Sequence, residues 1–140
     1  MNRLERWLEF HQRLEIGAAM VETAVAFPLL IIVALGLVQF ALYAHAQNVV
    51  VGAAQDGARV AAAEDRHIED GLARAHDLLR AGLGPSAEGV SVRGVDGGDV
   101  VMVETQGRLR LILPWVGDAS LPLHAQAVMS KERFHSGPSR

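Results

Sequence analysis

No Asp, Glu, Lys or Arg occurs between Thr23 and Gln55, a run of 33 residues in a chain of 140. Seven charged side chains precede the run (Arg3, Glu5, Arg6, Glu9, Arg13, Glu15 and Glu22), and 22 of the 29 follow it from Asp56 onward. A disordered chain and an ordinary cytosolic globule both spread charge along their length, so neither accommodates this split. Within the run, Ala24–Ala46 holds 19 apolar residues of 23, the exceptions being Pro28, Gly36, Gln39 and His45. As a helix this stretch covers roughly 34 Å, enough for a hydrocarbon core of about 30 Å. Burying it inside protein would stretch the 85 residues that follow it from Asp56. A membrane span at about 24–46 is expected. Arg3, Arg6 and Arg13 before it, against Arg59 and Arg66 after it, give a weak vote for a cytoplasmic N-terminus.

The rest of the composition narrows the function classes. A net charge of −3, with Lys131 the sole lysine, provides no basic face for a nucleic acid. The absence of cysteine rules out disulfides, thiolate metal sites and a cysteine nucleophile. Ala44-His45-Ala46 has the small-x-small form that signal peptidase accepts, and cutting there would release residues 47–140. The long apolar core and the charge-balanced leader argue against that cleavage, because ordinary signal cores run to about 7–15 residues behind a basic region.

Glu22 stands one position before the charge-free run. Its plain reading is an interfacial acid at the start of a helix, favoured by the N-terminal dipole. Its surroundings open a second reading. Gly17-Ala18-Ala19-Met20-Val21-Glu22 puts a glycine five residues ahead of the acid, between a charged leader and an apolar helix. This arrangement resembles the processing site of type IV prepilin-like proteins. Further on come Val21-Glu22-Thr23-Ala24, Pro28-Leu29-Leu30, Gly36-Leu37-Val38-Gln39-Phe40 and Gly52 to Ala62 with its Gly57-Ala58-Arg59. Together they resemble the N-terminal helix of TadE-like pseudopilins, components of tight-adherence pilus machinery, and the likeness runs from Gly17 to Ala62. Thr23 stands where the family usually has an aromatic residue, and Gln39 where it often has a second glutamate.

The resemblance implies cleavage after Gly17 by a membrane-embedded prepilin peptidase, leaving Ala18 as the new N-terminus and Glu22 as the fifth residue. The new α-amine has a pKa near ~8 and is mostly cationic, so Glu22 could pair with it in its own chain or in a neighbour. The residues expected to serve helix assembly are Glu22, Pro28, Gly36, Gln39, Ala54, Gly57, Ala58 and Ala61. Implied partners are the membrane, the peptidase, other pilins or pseudopilins and pilus assembly proteins, in a homo- or hetero-oligomer formed through this helix. An inner-membrane location follows, with the N-terminus cytoplasmic and the head periplasmic or extracellular.

Residue patterns set out the rest of the chain. Ala53, Ala54, Gly57, Ala58, Ala61 and Ala62 recur three and four apart, a small-residue face. That face reflects helix propensity alone, or it packs on sister helices or on the chain's own head. In the leader, Leu4, Trp7, Leu8, His11 and Leu14 share a helical face, which suits either a membrane-surface helix or a tail awaiting removal. Asp65 is the expected N-cap of an amphipathic helix carrying Ile68, Leu72, Ala75 and Leu79, with an Asp70–Arg74 pair on its outer face and an end at Gly82 and Gly84-Pro85. Beyond Pro85 the period becomes two. Val90, Val92 and Val95 and then Val101, Val103 and Thr105 flank a four-residue turn, Asp96-Gly97-Gly98-Asp99. A third strand is expected through Leu109, Leu111 and Leu113 to Pro114-Trp115, and a last one over Leu123–Lys131.

The expected class is α+β: a leader at 1–17, a long helix at 18–63, and a head at 64–140 of one helix and three or four antiparallel strands. No catalytic constellation assembles. His67 and His76 fall on opposite helix faces, His124 and His135 are isolated, and Ser120 has no local support. A structural protein is the expectation, without enzyme activity, cofactor or metal. The other reading is an uncleaved, single-pass binding or regulatory module.

Overall fold

The structure, a computed structural model, describes residues 3–112 and 119–131, and the side chains from Met20. Its elements are α1 (Arg3–Ala62), α2 (Ile68–Leu83), a 3-10 segment (Gly84–Gly89), β1 (Val90–Asp96), β2 (Val100–Arg110) and β3 (Ser120–Ser130). The strands form one antiparallel sheet in the order β1-β2-β3, so the class is α+β as the sequence patterns imply. Two compact units divide the chain, Met1–Val38 and Gln39–Arg140.

In the first unit α1 is helical from Arg3, so the leader residues up to Gly17 are helical too. The helix continues through Pro28, which removes one backbone donor without ending it. Every side chain from Met20 to Val38 is exposed, large ones such as Phe27 and Leu30 included.

The second unit begins at Gln39, and its core joins the remainder of α1 to α2 and the sheet. The α1 side of this core consists of Ala46, Val50, Ala53, Ala54, Ala58 and Ala61, all buried. Small residues are required because the elements approach closely. A Cβ on Gly57 would lie 2.9 Å from the Gly71 carbonyl oxygen and 3.0 Å from Ala75 Cβ. A Cβ on Gly71 would collide with the Gly57 carbonyl oxygen and with Ala61 Cβ. The sheet adds Val101, Val103 and Thr105 from β2 and Leu123, Ala125 and Ala127 from β3, while α2 adds Ala75 and Leu79. Burying each valine or leucine contributes about 1.5–3 kcal/mol, so the larger side chains of the sheet and α2 supply most of this core's energy.

Five local expectations are corrected. Helix α2 is capped at His67, whose backbone N–H donates to Asp70 Oδ2 at 3.1 Å. Asp65 instead takes a left-handed backbone (φ 58°) in the turn after α1, a conformation that Asp tolerates better than most residues. Arg74 does not pair with Asp70. Its Nε donates to Asp56 of α1 at 2.7 Å, and Asp70 faces Arg66 at 3.9 Å. On β1 the inward positions are Val90, Val92 and Gly94, leaving Val95 exposed. At Gly94 a Cβ would sit 2.7 Å from Ile68 Cδ1, so a side chain there would have to displace Ile68 and Leu72.

The fourth correction concerns the expected third strand, which is the far end of β2. Strand β2 runs unbroken through Gln106 and Gly107 to Arg110, and the sheet has three described strands. The hairpin is also tighter than expected. Gly97 N–H donates to the Val100 carbonyl at 2.9 Å, leaving Gly98 (φ 85°) and Asp99 at the tip. Leu113, Pro114 and Trp115 lie outside the described residues, as does His135.

Candidate functional site

The residues singled out by sequence fall into two groups. Gly17 and Ala18 lie within α1, and Glu22 follows one to two turns later, exposed. Pro28 and Gly36 continue the same exposed segment, and beyond its own turns of helix backbone nothing lies within 4 Å of where a Gly36 Cβ would be. Among the described residues of the first unit, nothing covers Met20–Val38. These 19 residues cover about 28 Å as a helix, close to a bilayer's hydrocarbon thickness.

Ala54, Gly57, Ala58 and Ala61 form the second group, and the structure brings them together inside the head. Of the uses that the sequence leaves open for this small-residue face, the chain's own head takes it. Gln39 also turns to the head. Its Oε1 accepts the Ile112 backbone N–H at 2.9 Å, while its Nε2 is buried without a partner among the described residues.

Three further contacts tie α1 to the sheet and to α2. Tyr43 Oη donates to the Pro122 carbonyl at 3.4 Å, and Gln47 Nε2 to the His124 carbonyl at 2.7 Å. His45 Nε2 lies 3.2 Å from the Gly82 carbonyl. Inside the core, the Thr105 hydroxyl donates to the Val50 carbonyl at 3.1 Å, with the Ala125 carbonyl 3.4 Å away. Sequence reasoning missed all of these partners. The available signal was the set of polar residues (Gln39, Tyr43, Gln47) four apart on one face of an otherwise apolar helix, which marks where the head docks.

Electrostatics are modest. Among the described residues, no three His, Asp or Glu side chains stand close enough to hold a metal ion. The Lys131 ammonium bonds Asp96 at 2.6 Å and the Gly98 N–H adds a second bond at 2.9 Å, which together hold the Asp96 carboxyl below the usual carboxylate range.

The described chain is thus an α+β head on a helix with one stretch long and apolar enough to cross a membrane. Residues 17–59 match the family model for TadE-like protein, the family that the N-terminal sequence resembles, and the match begins at Gly17 itself. No curated protein and no solved structure matches the chain significantly. A TadE-like region on a membrane-length helix suggests a protein associated with the Tad pilus.

Proposed function

We propose that this chain is a minor pilin or pseudopilin of a tight-adherence, type IV-like pilus (the Flp type). In this reading it inserts with its N-terminus in the cytoplasm, is cut after Gly17 by a prepilin peptidase, and uses its N-terminal helix to join other pilins. The head stays outside the cytoplasmic membrane, and the role is structural, in adhesion or secretion, not catalytic. One observation carries the reading: the Gly17-to-Glu22 spacing leads directly into the exposed, charge-free segment Thr23–Val38, inside the TadE-like match.

Cleavage after Gly17 leaves Ala18–Val38 as 21 residues ahead of the head, about 31 Å of helix. That length fits the bilayer without using any α1 residue buried by the head, so the span is shorter and earlier than 24–46. Glu22 then lies near the cytoplasmic edge, where pairing with an Ala18 α-amine offsets the desolvation of both charges.

Intact mass of the membrane-fraction protein, produced with and without a prepilin peptidase, tests the reading. Peptidase-dependent loss of residues 1–17 supports it. No loss points to an uncleaved anchored module, and loss of residues 1–46 to a secreted protein. Glu22→Ala should be processed yet fail to enter assemblies; normal incorporation would remove the role given to Glu22.

A further inference from the structure

Strands β1 and β3 form the two edges of the sheet, and β3 is the longer. Its ladder with β2 fixes which of its backbone groups face outward. The Lys131 N–H donates to the Asp99 carbonyl at 2.9 Å and the Leu111 N–H to the Ala119 carbonyl at 3.0 Å, both in the register of β2 with β3. Odd-numbered residues of β3 therefore bond β2, and even-numbered ones turn N–H and C=O to the open side. Helix α1 closes the first half of that side. Tyr43 bonds the Pro122 carbonyl, Gln47 bonds the His124 carbonyl, and Pro122 has no N–H to offer. Farther along, α1 leaves the edge: the Val50 carbonyl meets Thr105 of β2, and Gly57 lies against Gly71 and Ala75 of α2. Among the described residues, no hydrogen bond reaches the outward backbone groups of Gln126, Val128 and Ser130.

An open strand edge is a template for another strand, and sheets commonly blunt it with charge or proline. Between His124 and Lys131, β3 has neither. Its side chains say what fits. Val128 is 56% exposed and continues a row across the sheet with Met102 and with Val95, itself 54% exposed. Set antiparallel with Val128 opposite Val128, two copies pair Gln126 with Ser130, and each such pair exchanges both hydrogen bonds. On the outer face the row from Val95 through Met102 to Val128 runs on into the same row reversed. On the inner face Ala127 comes opposite Met129, apolar against apolar. Gln126–Ser130 carries no charged side chain, so two copies meet here without like-charge repulsion.

We propose that the Gln126–Ser130 edge of β3 pairs two copies of this chain, centred on Val128, into one continuous antiparallel sheet. So short an edge buries well below the ~1,200 Å² of a stable interface, so free heads associate weakly. Chains held by α1 in one bilayer meet at a far higher effective concentration, which makes a second anchored copy the occupant. In that respect the pairing rests on the membrane reading of α1 given above. It adds a contact between heads that assembly through the N-terminal helix does not require.

The chain has no cysteine, so single introduced cysteines report contacts without background. Disulfide formation is read on the full chain in membranes by non-reducing electrophoresis. Val128→Cys should cross-link to itself, because paired Cα atoms stand about 5.5 Å apart, within disulfide reach. Gln126→Cys and Ser130→Cys should each stay monomeric alone, since like positions lie more than about 12 Å apart in this register, and should cross-link when the two variants are produced together. All three positions are exposed, so the substitutions leave the core intact. Equal cross-linking at all three positions, no dimer at Val128→Cys, or a cross-link from there only to a different protein would overturn the proposal. Carbonate washing of membranes distinguishes the two levels of failure. A chain that washes off defeats the membrane reading and with it the anchored pair. A chain that stays but does not cross-link at position 128 defeats the pairing alone.

Discussion

Helix α1 contains two apolar regions that meet opposite fates. Between Met20 and Val38 the side chains are large (Phe27, Leu29, Leu30, Ile31, Ile32) and all are exposed. Between Ala46 and Ala62 most buried side chains are alanines, and they form one wall of the head's core. By hydropathy alone the first region looks more like a core than the second. The difference teaches that size decides the partner here. Large residues all round a helix keep neighbouring backbones apart and suit lipid, whereas a strip of Ala and Gly admits another backbone within van der Waals contact.

The comparison breaks most readily at the close approach. Gly57→Val should cost the head about 3 kcal/mol, because the new Cβ meets the Gly71 backbone, which cannot rotate away. The gain in helix propensity, under about 0.5 kcal/mol, is too small to compensate. Denaturant-dependent amide exchange at Val101 and Val103 would show the loss, and unchanged protection would mean the two helices are not held together as described. Thr105→Val keeps the shape of a buried side chain but removes the bond to the Val50 carbonyl, so the same measurement should fall by about 1 kcal/mol.

In the exposed region the expectation reverses. Leu30→Ala removes three carbon atoms, as many as Gly57→Val adds, yet head protection should move by less than about 0.5 kcal/mol. A larger shift would show that the two regions are not independent. The smallest effect concerns Asp96. Its carboxyl is held below the ordinary range by Lys131 first and the Gly98 N–H second. A lowered folded-state value adds stability that is complete above the unfolded-state value, near ~3.9, and is lost as the pH falls through the folded value. An NMR titration should show Asp96 moving back toward the ordinary range in Lys131→Ala, while the exchange of the buried α1 amides stays unchanged.

Much of this was readable in the sequence because it rests on local pattern. The first half of the charge-free run marks the exposed helix, the three- and four-residue spacing marks α2, and the alternating valines mark the hairpin. A separate third strand through Leu109 does not form, because the inward phase of Val101, Val103 and Thr105 carries on unchanged to Gly107 and Leu109. That unbroken phase was the signal for one long strand. Gly94 and Val95 exchanged places for the opposite reason: the inward position needed no side chain, since Ile68 and Leu72 of α2 already fill the space. A sequence displays neighbours four apart, which pairs Arg74 with Asp70, and hides Asp56, eighteen residues away. At the candidate site, Gly17, Glu22 and the apolar run are contiguous and were legible. The contacts of Gln39, Tyr43 and Gln47 were not, because each joins α1 to a distant segment.

The contact between Gly57 and Gly71 also acts as a mechanical stop. The residues one turn away from Gly57 on α1 are Ala53, Ala54, Val60 and Ala61, and each carries a Cβ. Sliding α1 along α2 by a turn in either direction would press one of these methyl groups toward the backbone at Gly71. Pulling on the N-terminal part of the helix therefore does not draw it gradually through the head. The head either holds its position along α1 or lets go of it altogether.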